Sequence, residues 1–198
     1  PPSLLKFRIK NKKKIYKKKF TILSVGSLVK AKGVDTIIKA FKNVKFNNVS
    51  LKVVGEGNER KNLTFLINKL NLKKKVRLSG WVNNPEKLYL ESNLFVHASH
   101  QEGFPNSIVE AINFNLPVIA SNCKGGTKEI LLNGKGGDLF PINNHRILSK
   151  KINNFFKNMK PLNKKLILAR KNILKYSLDA NLHKYNKLFL KVWYKKLN

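Results

Sequence analysis

The feature that most restricts how this chain folds is an alternation of two periodicities. Short apolar runs closed by glycine or serine take turns with segments whose apolar residues recur at helical spacing. Residues 20–26 (FTILSVG), 49–55 (VSLKVVG), 76–80 (VRLSG), 94–99 (LFVHAS) and 117–121 (PVIAS) read as buried strands. Between them, residues 34–44 carry apolar side chains at 34, 37, 38, 41 and 44. Residues 59–70 place Leu63, Leu66, Ile67 and Leu70 on one helical face. Asn84 before Pro85 suits a helix start, because asparagine caps free amides and proline lacks one. Residues 106–115 and 127–133 predict two further helices, and residues 137–140 a sixth strand. Past residue 143 the strands stop, and residues 146–159, 163–176 and 179–196 read as helices.

Strands joined by helices in this way are βαβ units, which pair in parallel. The expected fold is α/β: a Rossmann-like parallel sheet with helices on both faces, ending in C-terminal helices, over residues 20–198. Residues 1–19 show neither periodicity and read as a basic linker. The 198 residues suffice for one domain with a real core. No run nears the roughly 18 apolar residues of a membrane span. The start lacks both a methionine and a signal-peptide pattern, so it reads as a cut or processed end. A lone cysteine, Cys123, has no partner for an internal disulfide, which suits a reducing cytosol. His97, His100, His145 and His183 are scattered without zinc spacing, so no metal is expected.

The net charge of +31 raises the question of nucleic acid. The excess is concentrated at the ends. Residues 1–19 hold 9 basic residues and no acid, and residues 150–198 hold 14 basic residues against one acid. Lysine dominates over arginine, and no basic motif interleaved with aromatics of the single-strand-binding kind is present. A solvated basic surface is the plainer account. Attraction to an anionic membrane face comes next, at about 1 kcal/mol per basic residue near the surface, and specific nucleic-acid binding last.

In an open parallel sheet, ligands sit beyond the carboxyl ends of the strands. The loops after Gly26, Gly55, Gly80, Ser99 and Ser121 are therefore where chemistry belongs. In the first, Gly26-Ser27-Leu28-Val29-Lys30-Ala31-Lys32-Gly33, a helix start faces the loop and Lys32 can neutralise a phosphate. An ordinary turn with two solvated lysines is the alternative. After the second strand, Gly55-Glu56-Gly57-Asn58 reads as a turn with a helix cap at Asn58. The fourth loop is the richest, running from Ser99 through Glu102, Gly103, Phe104, Pro105, Asn106 and Ser107 to Glu110. Glu102 lies on the loop and Glu110 early in the next helix, so both carboxylates can face one pocket and accept hydrogen bonds from vicinal hydroxyls. Backbone amides from Phe104 to Ser107 can hold an anion or a hydroxyl between them. Against this, Ser107 and Glu110 also spell a capping box that needs no ligand. The Gly125-Gly126 pair is either a second anion cradle or a plain turn.

These residues resemble a known family. The run from Glu102 to Ala111 (EGFPNSIVEA) looks like the E-x7-E signature of family 4 retaining glycosyltransferases. VGSLVKAKGVD (residues 25–35), VVGEGNER (53–60), VRLSGWV (76–82) and LPVIASNCKGGTKEIL (116–131) are similar to its other motifs, in order and spacing. Residues 169–188 resemble its closing helices. The resemblance covers residues 20–195 and implies the C-terminal, donor-binding half of a GT-B fold. The EGFPN and NCKGGTKEIL forms look most like bacterial enzymes of surface-polysaccharide, capsule and lipopolysaccharide assembly that use UDP-sugars.

The resemblance also implies roles. Lys32, beside Gly26 and Ser27, would contact the donor diphosphate. Glu102 would bind hydroxyls of the donor sugar, with Gly103, Phe104 and Pro105 backbone nearby. Asn106 and Ser107 would follow at the helix start, and Glu110 would bind the ribose. Gly80, Trp81 and Val82 would lie beside the base. The nucleotide-sugar is the substrate, no cofactor is implied, and transfer would be metal-independent with retention at the anomeric carbon. The implied place is the cytoplasm, with contact at the inner face of the membrane. Two departures count. Ser27 stands where the family usually has arginine, which removes one cation. The family's N-terminal domain, which binds the sugar or lipid-linked glycan acceptor, has no counterpart before residue 20. The chain then reads as a fragment that binds donor weakly alone and does not transfer. The rival readings are a nucleotide-sugar-binding remnant without activity, a basic nucleic-acid-binding protein, and a UDP-sugar epimerase of related architecture.

Overall fold

The computed structural model describes residues 19–197. All but the last residue of the expected linker lies outside the described residues. The chain order begins β1 (Phe20–Val25), α1 (Val34–Phe41), β2 (Val49–Val54), α2 (Arg60–Lys69), β3 (Val76–Leu78), α3 (Glu86–Glu91) and β4 (Leu94–His97). It continues with β5 (Gln101–Glu102), α4 (Asn106–Asn113), β6 (Val118–Ser121), β7 (Lys124–Gly125), α5 (Gly126–Ile130) and β8 (Asp138–Phe140). Helices α6 (His145–Lys157), α7 (Lys160–Ile173) and α8 (Leu178–Leu197) close it. Six strands form one parallel sheet in the order β3-β2-β1-β4-β6-β8.

Successive residues of the central strands point to opposite faces, so each strand feeds two cores. Ile22, Leu51, Val96 and Ile119 pack with α1, α2 and α6 on one face. Leu23, Phe95, Val118 and Ala120 pack with α4, α5, α7 and Tyr89 of α3 on the other. Strand β4 is buried at every position, because it lies in the middle of the sheet under helices on both sides. Each such aliphatic side chain contributes about 1.5–3 kcal/mol when fully buried. The α/β fold read from the sequence is therefore the fold observed.

The differences are local. Expected strands run one or two residues past the observed ends, where the backbone leaves the ladder to form loops. Helix α7 starts at Lys160 rather than at residue 163, because Asn158 Oδ1 accepts from the Lys160 amide at 3.1 Å and Pro161 fits the first turn. Pro85, not Asn84, holds the capping position of α3, and Asn84 one residue before it accepts from the Glu86 amide at 3.0 Å. Asn58 does not cap: α2 starts after Glu59 with no side-chain cap. The two-residue pair of β5 with β7 was not anticipated, being too short to leave a periodic signal. Among the described residues, no helix is long and apolar enough to cross a membrane.

Candidate functional site

Strand order reverses at β1, whose neighbours are β2 on one side and β4 on the other. Crevices outside the carboxyl ends of strands at such a reversal are where open α/β sheets bind ligands. Here the loops after β1 and β4 leave side by side and are tied together. The His100 amide donates to the Ala31 carbonyl at 2.8 Å. Gly33 takes a left-handed conformation, with φ 58°, and any Cβ there would overlap the Ala98 carbonyl oxygen. Only glycine lets the two loops approach this closely.

The approach delivers Lys32, at the end of a short 3-10 turn (Lys30–Lys32), to Glu102. Lys32 Nζ lies 2.5 Å from Glu102 Oε1. Ser99 Oγ donates to the same oxygen at 2.7 Å, and His97 Nε2 lies 3.1 Å from it. The His97 contact is close but poorly aligned, and Nε2 has no other polar partner among the described residues. Glu102 Oε2, by contrast, makes no hydrogen bond to the described residues. Burial alone would push the Glu102 carboxyl up. The close contacts of His97, Lys32 and Ser99 with Oε1 outweigh burial and bring it down to about 2. Glu102 is thus an ionised group, 10% exposed, with one oxygen held by protein and the other open to a ligand hydroxyl.

The backbone of Glu102 is held from the other side. Gln101 pairs with Lys124 and Glu102 with Gly125, and the Gly126 amide donates to the Gly103 carbonyl at 3.0 Å. The Gly125-Gly126 pair therefore serves as the clamp on the Glu102 loop. Gly103 and Asn106 are exposed, Phe104 is half-buried against Tyr176 (ring centroids 5.0 Å apart), and Pro105 is buried.

Of the two readings left open for Glu110, the capping box is not formed. Helix α4 begins at Asn106 and has no side-chain cap, so Ser107 sits one residue inside the helix, past the capping position. Glu110 Oε2 instead accepts from the Tyr89 hydroxyl at 2.8 Å. Burial raises the Glu110 carboxyl above its ordinary range, and the Tyr89 hydrogen bond offsets part of that rise. Tyr89 is fully buried, stacked on Phe114 at 5.4 Å and tilted against Phe95 at 5.8 Å. Replacing Glu110 with alanine would strand that hydroxyl in the core. The expected cost is about 1–3 kcal/mol in urea denaturation, and Glu110→Gln, which retains an acceptor, should lose clearly less.

The remaining sequence candidates are placed as follows. Ser27 is exposed at the top of β1, beside Gly26. Gly80 bridges to Gly55, whose amide donates to the Gly80 carbonyl at 2.8 Å. Trp81 is 73% exposed, and Val82 packs at the edge of the second core. These three follow the edge strand β3, two strands away from β1. The structure therefore joins Lys32, Ser99, His97 and Glu102 directly. Glu110 makes its hydrogen bond to Tyr89 rather than to that cluster. His97 and Ser99 were not singled out from sequence, where they read as part of a strand and its end. Cavities of 360 Å³ beside His100 and 480 Å³ between α6 and α7 are lined by neither Lys32, Glu102 nor Glu110. The candidate site is the rim of the sheet, with Ser27, Gly103 and Asn106 exposed on it. Among the described residues, no group of three or more His, Cys, Asp or Glu is placed to hold a metal ion.

A parallel sheet covered by helices on both faces, with a lysine and an ionised carboxylate meeting at its switch point, is a Rossmann-like arrangement. The family model described as Glycosyl transferases group 1 matches residues 6–172, and the chain belongs to that family. It is 43% identical over 124 residues to an uncharacterised glycosyltransferase of Methanocaldococcus jannaschii, covering 62% of this chain and 30% of that protein. It is 35% identical over 161 residues to N-acetylgalactosamine-N,N'-diacetylbacillosaminyl-diphospho-undecaprenol 4-alpha-N-acetylgalactosaminyltransferase of Campylobacter jejuni, covering 80% of this chain and 42% of that protein. Among solved structures, a variant of Staphylococcus aureus TarM in complex with fondaparinux, alpha-GlcNAc-glycerol and UDP matches with a TM-score of 0.80. The identity is 29%, covering 92% of this chain and 38% of TarM. The structural neighbours are GT-B glycosyltransferases, and this chain spans less than half the length of the curated relatives it matches.

Proposed function

We propose that this chain is the donor-binding half of a retaining glycosyltransferase that takes a UDP-linked sugar and serves bacterial cell-surface glycan assembly. The observation that carries the proposal is the ionised Glu102, held through one oxygen by Lys32 and Ser99 at the switch point with its other oxygen unengaged. Named relatives act in capsular polysaccharide and O-antigen biosynthesis. In this reading Glu102 accepts hydrogen bonds from the donor sugar, and Lys32 with the starts of α1 and α4 faces the diphosphate. A lysine and helix starts set in place before the leaving group develops charge are electrostatic preorganisation. Glu110 takes the ribose hydroxyls at the cost of sharing its carboxylate with Tyr89, and Gly80 to Val82 border the base. The acceptor is a sugar or lipid-linked glycan, contributed to the cleft by a second domain of the whole protein. The work takes place in the cytoplasm, against the anionic inner face of the membrane, which suits the basic ends of the chain.

Isothermal titration with UDP and with UDP-, GDP- and ADP-sugars tests this. UDP-sugars should bind tighter than UDP, and guanine and adenine donors weaker. Binding of none of them, with salt-sensitive binding of random DNA tighter than about micromolar, would instead make this a nucleic-acid-binding protein. Ser27→Arg adds a cation at the exposed end of β1. A charge-assisted hydrogen bond of about 1.5–3 kcal/mol, less side-chain ordering, should tighten UDP binding by about tenfold. Weaker UDP binding in that variant would show that the loop after β1 does not hold the diphosphate.

A further inference from the structure

The central strand β4 carries a side chain whose chemistry does not suit its place. Leu94, Phe95 and Val96 are fully buried, and the next residue, His97, is 5% exposed. Its ring lies nearly parallel to that of Phe95, with centroids 6.5 Å apart and planes 17° apart. His97 Nε2 is enclosed, has no well-aligned hydrogen-bond partner among the described residues, and has Glu102 Oε1 at 3.1 Å as its polar neighbour. A buried polar atom in this state opposes folding, so an apolar residue would serve the strand better. The exception coincides with the base of the candidate site.

We infer that His97 is a positioning residue for Glu102, donating from Nε2 to Oε1 so that Oε2 faces the donor sugar. This inference rests on the reading of Glu102 as the group that binds the sugar. A carboxylate only accepts hydrogen bonds, so the ring nitrogen facing it must be the donor. The three groups around Oε1 differ in rigidity. Lys32 reaches it on a flexible stem from a neighbouring loop, is 29% exposed, and has three N–H donors to divide between Glu102 and a ligand anion. Ser99 reaches it from the strand end, through a hydroxyl that rotates. The His97 ring is locked in the sheet, in register with Ala120 of β6, and cannot follow a ligand. When a diphosphate draws on Lys32, His97 keeps Oε1 in place.

The test compares UDP with UDP-sugar, because the difference between them isolates the sugar. Titration calorimetry should be run on the wild type, His97→Leu, His97→Gln and Glu102→Gln, with thermal denaturation of each. His97→Leu should leave UDP affinity within about twofold and reduce the preference for UDP-sugar about tenfold, while its melting temperature holds or rises. His97→Gln, whose amide nitrogen reaches the same place, should recover most of that preference. A His97→Leu protein with unchanged preference overturns the inference, as does a parallel loss of UDP and UDP-sugar binding. Failure of His97→Gln to bind better than His97→Leu overturns it too, and this comparison stands even if leucine lowers stability. If the wild type binds UDP-sugar no better than UDP, the reading of Glu102 fails first. If Glu102→Gln loses the preference and His97→Leu does not, only the role of His97 fails.

Discussion

Replacing Glu102 with glutamine should bring UDP-sugar affinity down to that of UDP, a loss of roughly tenfold to a hundredfold. The magnitude is that of one charge-assisted hydrogen bond, about 1.5–3 kcal/mol. The cause is twofold. The variant lacks the negative charge that accepts from sugar hydroxyls, and its amide must turn one N–H toward either Lys32 and His97 or the ligand. Toward the protein, donor would then face donor; toward the sugar, a charged acceptor would be exchanged for a neutral donor. UDP itself should bind at least as tightly as before, because Glu102 does not touch the diphosphate in this reading and Lys32, freed of its carboxylate, remains available to it. The same substitution has a signature in acid. The Glu102 carboxyl sits at about 2 in the folded protein, below its ordinary value of 4.5. A lowered folded-state value stabilises the fold above the unfolded value, and that contribution is lost as pH falls through the folded one. The wild type should therefore lose stability between about pH 4.5 and pH 2, and Glu102→Gln should lose less over the same range in urea titrations. An identical acid profile in both proteins would mean that Lys32, Ser99 and His97 do not hold the carboxylate as described.

Gly125→Ala should act on the same group from behind, without touching any ligand. Gly125 has φ 107°, a conformation that side chains rarely adopt, and a Cβ there would overlap the Glu102 carbonyl oxygen. The pairing of β5 with β7 cannot survive this, and the loop that carries Glu102 must move. Positive-φ strain and steric overlap each cost about 1–3 kcal/mol. The variant should be destabilised by that order in chemical denaturation, with faster amide exchange at Gln101 to Gly103, and should lose the UDP-sugar preference along with Glu102→Gln. Unchanged stability, with the preference intact, would mean that the small two-stranded pair does not position Glu102.

How much of this was legible in the sequence differs between fold and site. The six strands and the helices between them were readable because periodicity is local. Phe20 to Val25 is apolar whatever surrounds it, and Ile37, Ile38 and Phe41 fall on one side of any helix they form. Lys32 and Glu102 were picked out by their loops and by resemblance. The capping-box alternative at Ser107 and Glu110 could not be decided from sequence, because a four-residue pattern says nothing of Tyr89, which lies 21 residues from Glu110 in sequence and offers it a hydroxyl in the core. His97 and Ser99 passed unnoticed for the same reason. Each is an ordinary strand residue until the carboxylate they face is known.

Residue order alone determined the class of fold, the run of the elements and the loops in which chemistry would be found, since these follow from spacings of two to four residues. Only the folded chain decided that β1 lies against β4. That adjacency brings a lysine to a glutamate 70 residues away, leaves one carboxylate oxygen free, and sets a histidine beneath it. The physical reason is that strand neighbours are chosen by burial of the whole sheet between two helical layers, a balance summed over the entire domain that no short stretch of sequence carries.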